Sequence, residues 1–264
     1  MIVHNFDPVF IDFGIIQIRW YSLAYIFGIL IGWWYGKILL KKQVEGYNVK
    51  IYLSKYDDLI TYIIIGVVIG GRLGYVFFYN LNFYLENLSE IFKIWNGGMS
   101  FHGGLIGVAV SIIIFSKKNN LSSYVYFDTI SAVAPIGIFL GRISNFINAE
   151  LYGVPTEKPW GVIFPNVDSL ARHPSQIYEA LLEGLILFLI LNLLVFSKRN
   201  KFGLVSGIFL IFYGLFRIIC EQFREPDNHI GYILNYLSIG TLLSFGMLLF
   251  GIIFLKVVYG KENK

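Results

Sequence analysis

The chain has 264 residues, 56% of them hydrophobic and only 14% charged, against about 25% charged in an ordinary soluble protein. With 24 phenylalanines and 18 tyrosines, that balance excludes a typical soluble domain and points to a polytopic helical membrane protein. A single cysteine excludes an internal disulfide and any paired-thiol metal or redox site, and the net charge of +4 says less than the placement of its charges.

About 20 apolar residues cross a ~30 Å hydrocarbon core. Seven such stretches are predicted, at about 18–40, 58–80, 98–116, 124–147, 177–196, 203–222 and 235–257. No basic region precedes the first and no small-residue cleavage site follows it, so it reads as a retained span, not a signal peptide. The third begins just after Asn96-Gly97-Gly98, the fifth after the helix-start pair Pro174-Ser175, and the sixth after Lys201-Phe202-Gly203, all turn or start signals. Cys220, inside the sixth, reads as a buried structural thiol. The longest polar insertion, 148–176, holds four of the seven prolines. The expectation is one polytopic membrane domain over 1–264, with 148–176 as a small loop-built cap on one face.

Alternate connections differ in basic content. One set carries Lys37, Lys41, Lys42, Lys50, Lys55, Lys117, Lys118, Lys198, Arg199, Lys201, Lys256, Lys261 and Lys264. The other carries only Arg19, Lys93, Lys158, Arg172 and Arg224. The positive-inside rule makes the first set cytoplasmic. The fold class expected is therefore an all-α integral membrane protein with seven transmembrane helices. Its N-terminus lies outside, its C-terminus in the cytoplasm, and its small head on the extracytoplasmic side. Six of the seven arginines fall in spans or on the outer side. Lysine, which makes up all of the cytoplasmic set but Arg199, serves topology, whereas the planar fork of arginine suits carboxylate or phosphate.

Ionisable groups inside lipid cost roughly 2.5–3.5 kcal/mol each on insertion scales, so a cluster of them needs a reason. Arg142 and Asn145, three residues apart near the outer end of the fourth span, share a face. Tyr213, Arg217, Glu221 and Arg224 are spaced i, i+4, i+8, i+11 and form one stripe on the sixth. Arg72 lies in the outer half of the second span, His102 five residues into the third, and Tyr21 at the start of the first. Taken singly these have plain readings: Tyr21 as an interfacial aromatic, Arg217 with Glu221 as a helix lock, His102 as a core histidine, Arg172 and Arg224 as solvated or headgroup contacts. Their convergence at one depth favours a functional layer that binds an anion. Gly70, Gly71 and Gly74 read as close-packing residues, and the HGGLIG stretch (102–107) either does the same or bares amides to an anion.

No HExxH, zinc-ligand histidine spacing, Gly-x-Ser-x-Gly or P-loop ending occurs, and no basic–aromatic soluble face suggests nucleic acid. An anion or lipid transporter would carry polar residues into the cytoplasmic halves of the spans and broken helices at mid-membrane; those halves are nearly all apolar. A lipid-binding scaffold would not need His102 beside two intramembrane arginines.

The stretches GGRLGYVFFYN (70–80), WNGGMSFHGGLIG (95–107), GRISNFINAELYG (141–153), RHPSQIYEALLEG (172–184) and YGLFRIICEQFREPD (213–227) resemble, in order and spacing, the bacterial prolipoprotein diacylglyceryl transferase family. The resemblance covers essentially the whole chain, although Trp160 to Arg172 is shorter than in many members. It implies a cofactor-free enzyme of the bacterial cytoplasmic membrane, with its active site toward the outer face. Such an enzyme moves the diacylglyceryl group of phosphatidylglycerol to the lipobox cysteine sulfur of a preprolipoprotein signal peptide, giving a thioether and glycerol phosphate. Functional positions carried over by motif are Tyr21, His102, Arg142, Asn145, Glu150, Tyr213, Arg217 and Glu221. Arg142 and Arg217 are then expected on phosphate, Tyr21 and Asn145 on the glycerol end, and Glu221 holding Arg217. His102 is the expected general base, with Glu150 the alternative, and Arg72 is either a second lipid anchor or a helix-packing residue.

Overall fold

The computed structural model describes residues 2–14, 17–197, 201–225 and 238–260. Lys198, Arg199, Lys261, Lys264 and the expected start of the last span at 235 lie outside them. The protein is mostly helical: α1 Trp20–Gln43, α2 Val49–Tyr79, α3 Leu81–Glu86, α4 Phe101–Lys118, α5 Ser123–Ile147, α6 Ser175–Glu179, α7 Leu187–Phe196, α8 Leu204–Glu221 and α9 Ile239–Gly260. A π-helical segment, Ala180–Ile186, joins α6 to α7 without a break. Among the described residues, seven helices are long and apolar enough to cross a membrane, with Ser175–Phe196 counted as one.

Two features differ from expectation. Helix α2 starts nine residues before 58, where the Asn48 side chain accepts from the Ile51 amide at 3.4 Å. Lys50, Lys55, Asp57 and Asp58 interrupt the apolar pattern yet are tolerated in a helix, so hydropathy alone truncates it. Its 31 residues span about 46 Å, well beyond the hydrocarbon. The second difference is a little β-structure that an all-α reading omits. Strand β1 (Ile2–Val3) pairs in parallel with β4 (Val162–Ile163), which pairs antiparallel with β5 (Ala171–Arg172). A hairpin of β2 (Val9–Asp12) and β3 (Gln17–Arg19) leads into α1.

The chain divides into two compact units, Leu40–Phe127 and the rest (Met1–Leu39 with Asp128–Lys264). Within Leu40–Phe127, α2 and α4 meet along glycines. A Cβ on Gly74 would stand 2.6 Å from the Gly103 Cα, and one on Gly70 2.8 Å from the Gly107 Cα. Small residues let two backbones approach this closely in lipid, where dispersion replaces the hydrophobic drive. The packing reading of Gly70 and Gly74 therefore holds. Ser100 caps α4, its Oγ accepting from the Gly103 amide at 3.2 Å and its carbonyl from the Gly104 amide at 2.9 Å. Those amides serve the helix start, not an anion.

In the other unit, α8 lies on α9: a Cβ on Gly214 would come 2.7 Å from the Ser244 carbonyl. The π segment presses on α5, with Gly184 so near Phe139 that a Cβ would sit 2.9 Å from its Cα. Fully buried Asp128 of α5 accepts from the Gly203 amide at 2.7 Å and the Ser206 amide at 2.8 Å. A side chain from one helix thus caps the start of another. At the opposite end gather the end of α5, the starts of α1 and α6, the end of α8, the insertion and the small sheets. The Trp20 amide donates to the Pro8 carbonyl at 3.2 Å, and His4 Nε2 lies 2.8 Å from the Phe146 carbonyl.

Candidate active site

Three helices of the larger unit bring charge to one place. Arg142 comes from α5, Glu179 and Glu183 from α6 and the π segment, and Arg217 and Glu221 from α8. Both glutamates of the fifth span are wholly buried. Arg142 reaches Glu179 Oε2 through Nη1 at 3.0 Å and Glu183 Oε2 through Nη2 at 3.1 Å. Arg217 Nη1 contacts Glu179 Oε1 and lies 3.6 Å from Glu183 Oε1, while its Nη2 meets Glu221 Oε2 at 2.6 Å. Arg224 Nη1 lies 3.8 Å from Glu179 Oε1. Three guanidinium groups thus face three carboxylates, and the cluster is formally neutral.

Local sequence explains the arrangement. The spacing of Arg217 and Glu221 puts them one turn apart on α8, and their pairing is as expected. Glu179 and Glu183 are four apart, and the wide turn that opens at Ala180 keeps both toward α5 and α8. Such π segments recur at functional sites, and here the close approach of Gly184 to Phe139 lets Arg142 meet both carboxylates. Ser238 Oγ donates to Glu221 Oε1 at 2.7 Å, fixing its other oxygen.

A turn beyond Arg142, Asn145 Nδ2 donates to Glu150 Oε2 at 3.3 Å and Asn148 Nδ2 to Glu150 Oε1 at 3.1 Å. Here α5 ends through two non-glycine residues of positive φ, Ala149 and Leu151, each at 55°, an uncommon and strained backbone for side-chain-bearing residues. The start of α6 secures it: Gln176 Nε2 donates to the Glu150 carbonyl at 2.6 Å and Ser175 Oγ to the Leu151 carbonyl at 2.9 Å. Tyr213 is buried and close enough to both arginines and both glutamates to interact with their charges. Tyr21, more than one-third exposed, has its hydroxyl 3.1 Å from that of Tyr25 and lies within electrostatic range of Arg142 and Glu150.

The larger unit therefore gathers Arg142, Arg217, Tyr213 and Glu221, with Asn145, Glu150 and Tyr21 nearby. His102 and Arg72 belong to the other unit. His102 is the second residue of α4, half-buried, its ring edge-on to Phe101 at 5.6 Å. Arg72 is buried and donates to five backbone carbonyls: Ile91 at 2.9 Å, Glu90 at 2.5 Å, Gly98 and Lys93 at 3.3 Å each, and Gly97. Its guanidinium also lies 5.1 Å from the Tyr84 ring. Of its two open roles, this geometry favours packing.

Arg172 and Arg224, whose plain reading is a solvated or headgroup contact, are buried. Arg172 pairs with Asp168 at 2.6 Å and with Glu225, and donates to the Gly153 carbonyl at 3.0 Å. The Arg172 guanidinium holds the Asp168 carboxyl below its ordinary range. Sequence reasoning missed Glu179 and Glu183, although the cost of ionisable groups inside a span marks them as plainly as it marks Arg142. No group of three or more His, Cys, Asp or Glu side chains suited to a metal ion occurs among the described residues.

Fold and site together define a multi-pass helical membrane protein with a buried arginine–glutamate cluster at one end of its larger unit. A family model described as prolipoprotein diacylglyceryl transferase matches residues 8–257. Curated proteins named phosphatidylglycerol–prolipoprotein diacylglyceryl transferase are similar over nearly their whole length. The one from Rickettsia typhi is 51% identical, over 95% of this chain and 96% of its own. The one from Methylocella silvestris is 47% identical over 97% and 95%, and the one from Nitrobacter hamburgensis 48% over 97% and 89%. The chain belongs to the prolipoprotein diacylglyceryl transferase family.

Proposed function

We propose that this protein transfers the diacylglyceryl group of phosphatidylglycerol to the lipobox cysteine of preprolipoproteins, the first step of lipoprotein maturation. The observation that carries the reading is the meeting of Arg142 and Arg217 in one buried cluster, inside a chain that the family model matches from residue 8 to 257. The thiolate sulfur attacks the glycerol carbon that bears the phosphate. A C–S bond forms, the C–O bond breaks, and the leaving glycerol phosphate gains a negative charge. Preorganised guanidinium groups in a water-poor place stabilise that charge. A cysteine with pKa near 8.5 is only a few per cent ionised at pH 7, so the thiol proton needs an acceptor. His102 is assigned that role, with Glu150 the alternative; Asn145 and Tyr21 orient the glycerol end, and Tyr213 and Glu221 complete the surroundings of the arginines. No cofactor and no nucleic acid enter the reaction.

The site faces the outer side of a bacterial cytoplasmic membrane, with the N-terminus outside, the C-terminus inside and 148–176 as a periplasmic head. Supporting this, Lys37, Lys201 and Lys256 lie at helix ends away from the insertion, with Lys201 Nζ 5.0 Å from the Tyr259 ring. The test is direct. Purified protein, phosphatidylglycerol vesicles and a lipobox peptide should yield a peptide heavier by one diacylglyceryl group, on cysteine alone. A mass gain that persists when the cysteine is replaced by serine, or none at all, refutes the reading.

A further inference from the structure

The arginines assigned to the phosphate are already held by carboxylates, and the order of burial is informative. Side-chain exposure is 15% for Arg142 and 9% for Arg217, against 0% for both Glu179 and Glu183. The glutamates lie behind the arginines. Glu179 bridges them, Oε2 to Arg142 and Oε1 to Arg217, and Glu183 spans the same pair with Oε2 on Arg142 at 3.1 Å and Oε1 toward Arg217 at 3.6 Å. Two guanidinium groups and two carboxylates alternate in a closed square. Of the four carboxylate oxygens, Glu179 Oε2 and Glu183 Oε1 accept no aligned hydrogen bond among the described residues, so their contacts with the arginines are ionic.

We infer that Glu179, seconded by Glu183, is a positioning residue of the transfer reaction: its bridge sets the separation and orientation of Arg142 and Arg217, and through them the placement of the lipid phosphate. This rests on the transferase reading above. Neither carboxylate touches the lipid. Two mutually repelling cations do not stay close without an anion between them, and a bridging carboxylate supplies a fixed spacing before the lipid arrives. The carboxylates also cost affinity, because each cancels a positive charge that would otherwise attract an anionic headgroup. That opposition separates positioning from plain neutralisation and from a structural role.

The experiment compares wild-type, Glu179→Gln, Glu183→Gln and Glu179→Asp proteins in detergent. Each is assayed for kcat and KM with phosphatidylglycerol, for equilibrium binding of phosphatidylglycerol without peptide, and for thermal unfolding. Positioning predicts that kcat of Glu179→Gln falls about 10- to 100-fold, the scale of a misplaced reacting group, while lipid binding holds or tightens. Glu183→Gln should show the same split at smaller size, and Glu179→Asp should recover part of the rate by restoring the anion. Wild-type kcat in folded Glu179→Gln overturns the inference. So does a loss confined to KM, or failure of all three variants to fold, which would make the carboxylates structural. An inactive wild type that still binds phosphatidylglycerol would instead sink the transferase reading, and the binding comparison would then judge the bridge.

Discussion

Two intramembrane arginines in this protein live in opposite surroundings. Arg72 of α2 spends its donors on the carbonyls of residues 90, 91, 93, 97 and 98. Carbonyls carry no net charge and belong to the main chain, so they cannot be exchanged for a ligand without unravelling the 87–98 loop. Arg217 of α8 faces the carboxylates of Glu179, Glu183 and Glu221, side-chain anions that hold it by charge and leave the main chain uninvolved. An arginine saturated by backbone is a fastener, and one positioned by carboxylates can accept a further anion without disturbing a loop. Burial does not distinguish the two, since Arg72 and Arg217 are 4% and 8% exposed.

The contrast breaks first on activity. Arg142→Ala and His102→Gln should each lower thioether formation by about 100-fold or more, the range for losing an electrostatic stabiliser or a general base, with membrane insertion intact. Mass spectrometry of the peptide product checks both, and wild-type rates in His102→Gln would return the base role to Glu150. Next comes the glycine seam. Gly107→Leu sets a side chain against the backbone of Gly66 and Gly70 and should cost about 1–3 kcal/mol or more through overpacking, read as a lower unfolding temperature in detergent.

Arg72→Ala should do less to chemistry than Arg142→Ala, lowering the rate a few-fold at most. It releases the five carbonyls that one guanidinium now holds together, so faster proteolysis between residues 87 and 98 is the expected readout. A loss as deep as that of Arg142→Ala would make Arg72 a lipid anchor after all. The smallest effect is predicted at Asp168. Its carboxyl is held low by hydrogen bonds from Arg172, so its stabilising contribution is complete above the ordinary carboxylate range and fades as pH falls through the lowered value. Asp168→Asn should flatten the acid side of the stability profile and leave neutral pH almost unchanged.

Much of this was readable from sequence, because lipid is a severe solvent. Apolar runs of about 20 residues gave seven spans, and helical spacing alone brought Tyr213, Arg217 and Glu221 onto one face of α8. The start of α2 escaped because Asp57 and Asp58 signal loop to a hydropathy window, although a helix longer than the hydrocarbon is thick tolerates charges near its end. The two-residue strands escaped because so short a run carries no alternation. Glu179 and Glu183 escaped for a different reason. Attention to cations as phosphate ligands passed over the anions that keep them apart, and nothing in the sequence announces the π turn that aims both at Arg142.

The parallel pairing of Ile2–Val3 with Val162–Ile163 bears on the order of assembly during synthesis. Ile2 and Val3 must wait for a strand about 160 positions later in the chain, after α1 through α5 have been made. Closing so long a loop is entropically expensive and slow. The end of the larger unit that carries this sheet should therefore be the last part to mature, and a substitution that breaks the pairing of Ile2–Val3 with Val162–Ile163 would act at that final stage.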